Sequence, residues 1–334
     1  MLLFGKKMIK MIKDFIKLIR LKNLVMIVAL QYLLLYCLIS PFLKYHYSHI
    51  LGLEMNIQFS NVDFFLLVLA TILITAAGYV INDYFDLSID MINHPQNVIL
   101  GKRISLRTAL IIHWIFNIIG VTLGFYISWK IDMTNLGFIF IFTAGLLWYY
   151  STIFKRELII GNIIVATLTA LTPLLVIIYE IIPLNLTYKS QLQYFYLNFN
   201  DIVFWILGFS FFAFFSTLVR EIIKDIEDFE GDNAYGRKSI PIILGVQNAK
   251  IIVVSLQLLF TLTIVGASIL YIEDQLSKWY LWIFVILPSF FLIYKIIRAK
   301  EEKDYTLASK ILKLIMITGI SYLFILYFII KGFI

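Results

Sequence analysis

The chain reads as an all-α polytopic membrane protein of nine transmembrane helices, and three observations lead there. Of its 334 residues 61% are hydrophobic and only 15% charged, whereas soluble domains are about half apolar and about a quarter charged. Nine apolar runs recur along the chain, each near the roughly 20 residues a membrane-crossing helix needs. Lysines and arginines collect in alternate connections, as the positive-inside bias requires.

Residues 1–23 carry seven of the 28 Lys and Arg: Lys6, Lys7, Lys10, Lys13, Lys17, Arg20 and Lys22. Ile9, Ile12, Phe15, Ile16 and Ile19 repeat between them at three- and four-residue spacing. That pattern predicts a basic amphipathic helix on the membrane surface. No apolar core followed by a small-residue cleavage site occurs in the first 25 residues, which argues against a signal peptide.

The expected spans are 24–43, 62–82, 106–128, 134–150, 159–182, 201–222, 250–271, 279–297 and 307–330. Short connections and the lack of a Ser/Gly-rich linker predict one membrane domain over 24–334. The N-terminal segment, Lys102-Arg103, Lys155-Arg156, Arg237-Lys238 and the 295–303 cluster fall on one side. That side is expected to be cytoplasmic, with the C-terminus outside. The net charge of +7 then points to topology and anionic lipid, not to nucleic acid. Cys37 is the single cysteine, so there is neither a disulfide framework nor a thiol metal site.

Two acidic clusters close apolar runs. Asp83, Asp86 and Asp90 lie at i, i+3 and i+7, one helical face if the helix continues. Asp225, Asp228 and Asp232 repeat the spacing 142 residues later. Read alone, either cluster is equally a solvated helix end. A carboxylate at a helix C-terminus opposes the macrodipole, however, and like charges brought together repel. Six of them suit Mg²⁺, a hard cation that bridges one or two carboxylates to substrate phosphates. Asp86 and Asp228, central in their triplets, are the expected catalytic pair. On the repulsion argument, neutralising either one should not lower stability. Asn82 adds a neutral amide ligand. Lys102, Arg103, Lys155, Arg156, Arg220, Lys224, Arg237 and Lys238 are candidate phosphate-binding cations, and Arg220 and Lys224, one helical turn apart, are the stronger of them. Ala76, Ala77 and Gly78 should let helices approach closely and bring the two acidic helices together. His46 and His49 lack acidic partners in sequence and read as surface residues, and His113 reads as a packing histidine. The 20 Tyr, 29 Phe and six Trp include candidates for steadying an allylic cation. A transporter is the rival of another class. Its charges would sit near the bilayer midplane, whereas these carboxylates sit at span ends.

These residues resemble the UbiA superfamily of intramembrane prenyltransferases. Asn82-Asp83-x-x-Asp86-x-x-x-Asp90, with Ile92-Asn93-His94-Pro95 and Arg103-Ile104-Ser105, resembles its first motif. Tyr150-Ser151, Lys155-Arg156, Gly161-Asn162 and Pro173 resemble its central block. The run from Arg220 to Asp232, then Gly236-Arg237-Lys238-Ser239-Ile240-Pro241 and Gly245, resembles its second. Arg20 and Asn23 resemble a weaker N-terminal signature. The resemblance implies nine helices around a central cavity open to the cytoplasm, and Asp motifs that hold Mg²⁺ and a polyprenyl diphosphate. The second motif is most similar to the digeranylgeranylglyceryl phosphate synthase branch. That implies geranylgeranyl transfer to the lipid-phase acceptor geranylgeranylglyceryl phosphate. The alternative acceptor is an aromatic quinone precursor of the 4-hydroxybenzoate, dihydroxynaphthoate or homogentisate type. Asn97-Val98 stands where many members carry Arg-Pro.

Overall fold

A computed structural model describes residues 2–332, without side-chain placements for residues 2–8. Lys6 and Lys7 of the expected basic helix therefore lie outside the described side chains. Among the described residues there are no strands, only an isolated bridge between Leu100 and Ile104.

Besides short helices at Lys189–Tyr194 and Ile240–Leu244, the helices are α1 (Leu2–Leu18), α2 (Leu21–Leu51), α3 (Asn61–Asn93), α4 (Leu106–Lys130), α5 (Phe138–Thr152), α6 (Ile160–Thr187), α7 (Asn200–Glu227), α8 (Phe229–Ala234), α9 (Val246–Leu270), α10 (Gln275–Arg298) and α11 (Glu302–Ile330). Eight of them, α2–α4, α6, α7 and α9–α11, are long and apolar enough to cross a membrane. The ninth expected span, 134–150, is shorter. A 3₁₀ turn at Thr134–Gly137 takes its first residues and leaves α5 with 15.

Contacts divide the chain into two compact units. The first comprises Met1–Val28, Asn61–Gly161 and Glu230–Lys238, and the second Ala29–Ser60, Asn162–Phe229 and Ser239–Ile334. In the first unit, α3 has 33 residues, about 50 Å at 1.5 Å per residue. The hydrocarbon core is about 30 Å thick. One end of α3 is tied by Asp63, which is buried and pairs with Lys130 at 2.7 Å. The other end carries the first acidic cluster.

Small residues set the packing of this unit. A Cβ at Gly120 of α4 would lie 2.7 Å from Ile74 and 3.2 Å from the Ala70 carbonyl. A Cβ at Gly78 would lie 2.9 Å from Leu147. The Ala77 carbonyl meets His113 Nδ1 at 3.0 Å, so His113 is a packing residue. Within this unit Gly78 admits the Leu147 side chain of α5, and the Ala77 carbonyl receives His113 of α4.

In the second unit, Pro173 sits inside the unbroken α6. A proline has no N–H for the carbonyl four residues earlier. That carbonyl, of Thr169, accepts the Thr172 hydroxyl at 2.8 Å, a side-chain substitution that keeps backbone groups satisfied in an apolar surround. Glu180, also in α6, is 1% exposed. Its two carboxylate oxygens accept the backbone N–H groups of Gln58, at 2.5 Å, and Phe59, at 3.1 Å. An ionisable residue inside a span is by default a functional candidate, but here it fastens a loop. Part of the aromatic content packs the α7–α9 contact, where the buried Phe260 meets Phe211, Phe212 and Phe215.

Candidate active site

In the first unit α3 continues unbroken to Asn93, so Asp83, Asp86 and Asp90 do share one helical face. Asp86 is 3% exposed and forms ion pairs with both Lys155 and Arg237. Lys155 follows α5 in a short 3₁₀ turn, and its ammonium also donates to Asn82 Oδ1 at 3.0 Å. Arg237 follows α8 after a turn that needs the positive φ of Gly236. Its second guanidinium nitrogen pairs with Asp232 at 2.9 Å. Burial works against the charge on Lys155, but the Asp86 carboxylate outweighs it and holds the ammonium above the usual lysine range. Burial likewise opposes the charge on Arg237, and Asp86 and Asp232 together more than restore it. Arg20, just after α1, pairs with Asp83 at 2.7 Å and lies 4.9 Å from the Tyr79 ring centre. Asn93 accepts the Gly231 N–H at 2.8 Å, fastening the start of α8 to the end of α3.

The repulsion expected of clustered carboxylates is therefore relieved in large part by the protein's own cations. This corrects the expectation that neutralising Asp86 is harmless to stability. Its charge holds two buried or half-buried cations, and an unpaired buried charge is costly.

The second triplet departs from its expected geometry. α7 ends at Glu227, Asp228 adopts φ −89° and ψ 11°, and α8 starts at Phe229. Asp225, Asp228 and Asp232 thus do not share one continuous helix. Asp232 goes with α8 to Arg237 in the first unit. In the second unit Asp225 accepts from Asn162 at 2.8 Å. Arg220 and Lys224 both meet Glu221, at 3.0 and 3.7 Å, and Glu227 accepts from Thr306 at 2.7 Å.

Two other candidates lie elsewhere. Arg103 pairs with Asp14 of α1 at 2.6 Å. Arg156 is exposed, and its backbone carbonyl accepts the Lys238 N–H at 3.0 Å. His46 and His49 are exposed, but His46 does not lack an acidic partner, since its Nε2 lies 4.0 Å from the Asp201 carboxylate. Arg237, one of the cations expected from sequence, completes the first cluster, and Arg20, Asn162 and Glu221, which are not among the expected site residues, complete the polar clusters. Arg237 stands only five residues after Asp232, next to a turn glycine and within the second family-like run. Asn162 and Glu221 have only their places in the family-like runs.

Among the described residues no three His, Cys, Asp or Glu side chains converge as a ready-made metal cage. The donors are nonetheless all hard oxygens, on Asp and Asn side chains. Mg²⁺ characteristically takes one or two such carboxylates and completes its shell with water and substrate phosphate, so the donor set fits Mg²⁺ bound together with a phosphorylated ligand.

Fold and site define a class: a polytopic α-helical membrane enzyme with acidic and basic side chains interlocked at one end of a long span. Residues 47–317 match the UbiA prenyltransferase family, and the chain belongs to it. It is a prenyltransferase of the membrane, not a transporter. The chain is 34% identical over 254 residues to digeranylgeranylglyceryl phosphate synthase of Methanobrevibacter smithii, which covers 76% of this chain and 83% of that one. Among solved structures it resembles one concerned with digeranylgeranylglyceryl phosphate synthase in membranes, with TM-score 0.60, 23% identity and coverage of 94% and 99%. It also resembles a UbiA homologue from Archaeoglobus fulgidus bound to DMAPP and Mg²⁺, with TM-score 0.51, 15% identity and coverage of 93% and 99%. At these identities the structural likeness establishes the fold.

Proposed function

We propose that the chain transfers a geranylgeranyl group from its diphosphate to geranylgeranylglyceryl phosphate, using Mg²⁺. The observation that carries this reading is the convergence of Lys155 and Arg237 on the buried Asp86. Two cations and a hard carboxylate in one place suit a metal-accompanied diphosphate. The acceptor follows from the name and extent of the Methanobrevibacter smithii relative.

In the reaction the acceptor hydroxyl oxygen bonds to C1 of the prenyl chain as the C1–O bond to diphosphate breaks. The hydroxyl proton passes to the departing diphosphate or to an Asp carboxylate of either cluster, and diphosphate departs with the bonding electrons. Asp83, Asp86, Asp90, Asp225, Asp228 and Asp232 are the proposed Mg²⁺ ligands, with Asp86 and Asp228 central to catalysis. Bound Mg²⁺ neutralises charge that builds on the leaving oxygen. Asn82 and Lys155 bind the diphosphate, and Arg237 joins them. Arg220 and Lys224 are assigned to the phosphate of one of the two substrates. Arg103 and Arg156 supply positive potential nearer the surface. We place the N-terminus and the acidic ends on the cytoplasmic side of a prokaryotic cell membrane. The C-terminus is outside, with α5 as the short ninth crossing.

The test is purified protein in detergent with Mg²⁺, labelled diphosphates of several chain lengths, and a panel of glycerol phosphate and aromatic acceptors. The expected result is label in a glycerol phosphate ether. Label transferred only to an aromatic acceptor would replace the acceptor assignment.

A further inference from the structure

The N-terminal helix α1 does two things at once. On one side it is fastened to the first unit. Leu18 is fully buried with Val80, Leu100 and Ala109, and Phe15 packs edge-on against Phe116 with ring centres 6.4 Å apart. Two polar contacts reach the loop between α3 and α4, which directly follows the first acidic cluster. The buried Asp14 pairs with Arg103 at 2.6 Å, and Lys17 donates to Asn97 Oδ1 at 3.0 Å.

On its other side α1 carries an uncovered apolar stripe. Ile9, Ile12 and Ile16 are 53%, 48% and 39% exposed. At about 100° per residue they fall within an arc of roughly 60°. Lys13, also exposed, borders the stripe, and Lys10 lies further round the same flank. An apolar stripe with lysines along its edge is complementary to one kind of partner, an anionic bilayer surface. The isoleucines enter the boundary between acyl chains and headgroups, and the lysines remain at the headgroups. Because α1 lies against α4, a membrane-crossing helix, that surface is within reach of the stripe.

We propose that α1 is a strap. Its outer face docks on anionic lipid, and through Asp14–Arg103 and Lys17–Asn97 this docking orders the 94–105 loop beside the first acidic cluster. The functional consequence rests on the prenyltransferase reading, but the strap does not, and neither readout of its test uses turnover.

The test uses full-length protein in nanodiscs of neutral lipid or of neutral lipid with one third anionic lipid. In a Cys37→Ser background, Ile12→Cys carries a nitroxide. Its collision rates with oxygen and with a water-soluble nickel complex report depth. Hydrogen exchange is followed at the amides of Gly101, Arg103 and Ile104, which bond to carbonyls within the same loop. The expected result is a label shielded from nickel in anionic discs and less so in neutral ones. The three amides should then exchange several-fold more slowly in the anionic discs. Each lysine near an anionic surface contributes about a fivefold preference, so Lys10→Glu with Lys13→Glu should remove the lipid dependence. Asp14→Asn should leave the label's depth unchanged and speed loop exchange. A label equally open to nickel in both discs overturns the docking. Docking that depends on anionic lipid without any change in loop exchange overturns the strap.

Discussion

Asp86→Asn keeps the size of the side chain and removes its charge. On sequence reasoning the change relieves repulsion and costs nothing. In the folded protein it leaves Lys155 and Arg237 without the carboxylate they share. Removing one partner of a buried ion pair costs roughly 3–5 kcal/mol. Here both cations keep a second partner: Arg237 keeps Asp232 at 2.9 Å, and Lys155 keeps Asn82 at 3.0 Å. The Lys155 side chain is 23% exposed and can turn toward water, against 9% for Arg237. The loss should therefore lie at the lower end, about 3 kcal/mol. Equilibrium unfolding in mixed micelles, without Mg²⁺ or substrate, measures it. A second variant checks the cause. Adding Lys155→Gln to Asp86→Asn removes one stranded cation and should return part of the loss. The coupling should be about 1–2 kcal/mol, within the range found for groups in one network. Stability of Asp86→Asn within about 0.5 kcal/mol of the parent, the scatter of ordinary surface changes, would mean these pairs do not form in solution.

Three further outcomes follow from the same geometry. Exhaustive chelation of divalent cations should abolish turnover and magnesium should restore it, whereas full turnover after chelation would remove the metal from the account. Arg220→Lys should lower kcat/KM for one of the two substrates by about ten- to a hundredfold, the weight of a hydrogen bond to a charged group. Varying each substrate separately shows which phosphate Arg220 serves, and no defect for either would remove it from the site. Gly120→Ala should destabilise the first unit by about 1–3 kcal/mol through overpacking, because the new methyl would lie 2.7 Å from the buried Ile74. Unchanged unfolding of that variant would mean that α3 and α4 are less tightly apposed.

The helical membrane fold was legible because lipid imposes it on composition. Apolar runs of span length have few other uses, and the eight long helices lie where such runs lie. The face shared by Asp83, Asp86 and Asp90 was legible because helical periodicity carries straight on through α3. The break at Asp228 was not, since neither proline nor glycine occupies that position and Gly231 comes three residues later. Repeating the first cluster's spacing therefore suggested a continuity that the second lacks. The partners of the carboxylates were also hidden. Lys155 is 69 residues from Asp86 and Arg237 is 151 away, so the sequence places them among the candidate cations but does not say which carboxylate they meet. Arg103 illustrates the converse. Its position in sequence suggested a phosphate ligand, and the structure gives it to Asp14.

The most direct measurement is the mass of the product. Purified protein is incubated with Mg²⁺, geranylgeranyl diphosphate and geranylgeranylglyceryl phosphate, and the lipid extract and released diphosphate are quantified together. Digeranylgeranylglyceryl phosphate and diphosphate are expected in equal amounts from the parent protein, and neither from Asp86→Asn or Asp228→Asn at a temperature where both variants remain folded. Diphosphate release without ether formation, or product at parental rates from both variants, would contradict this expectation.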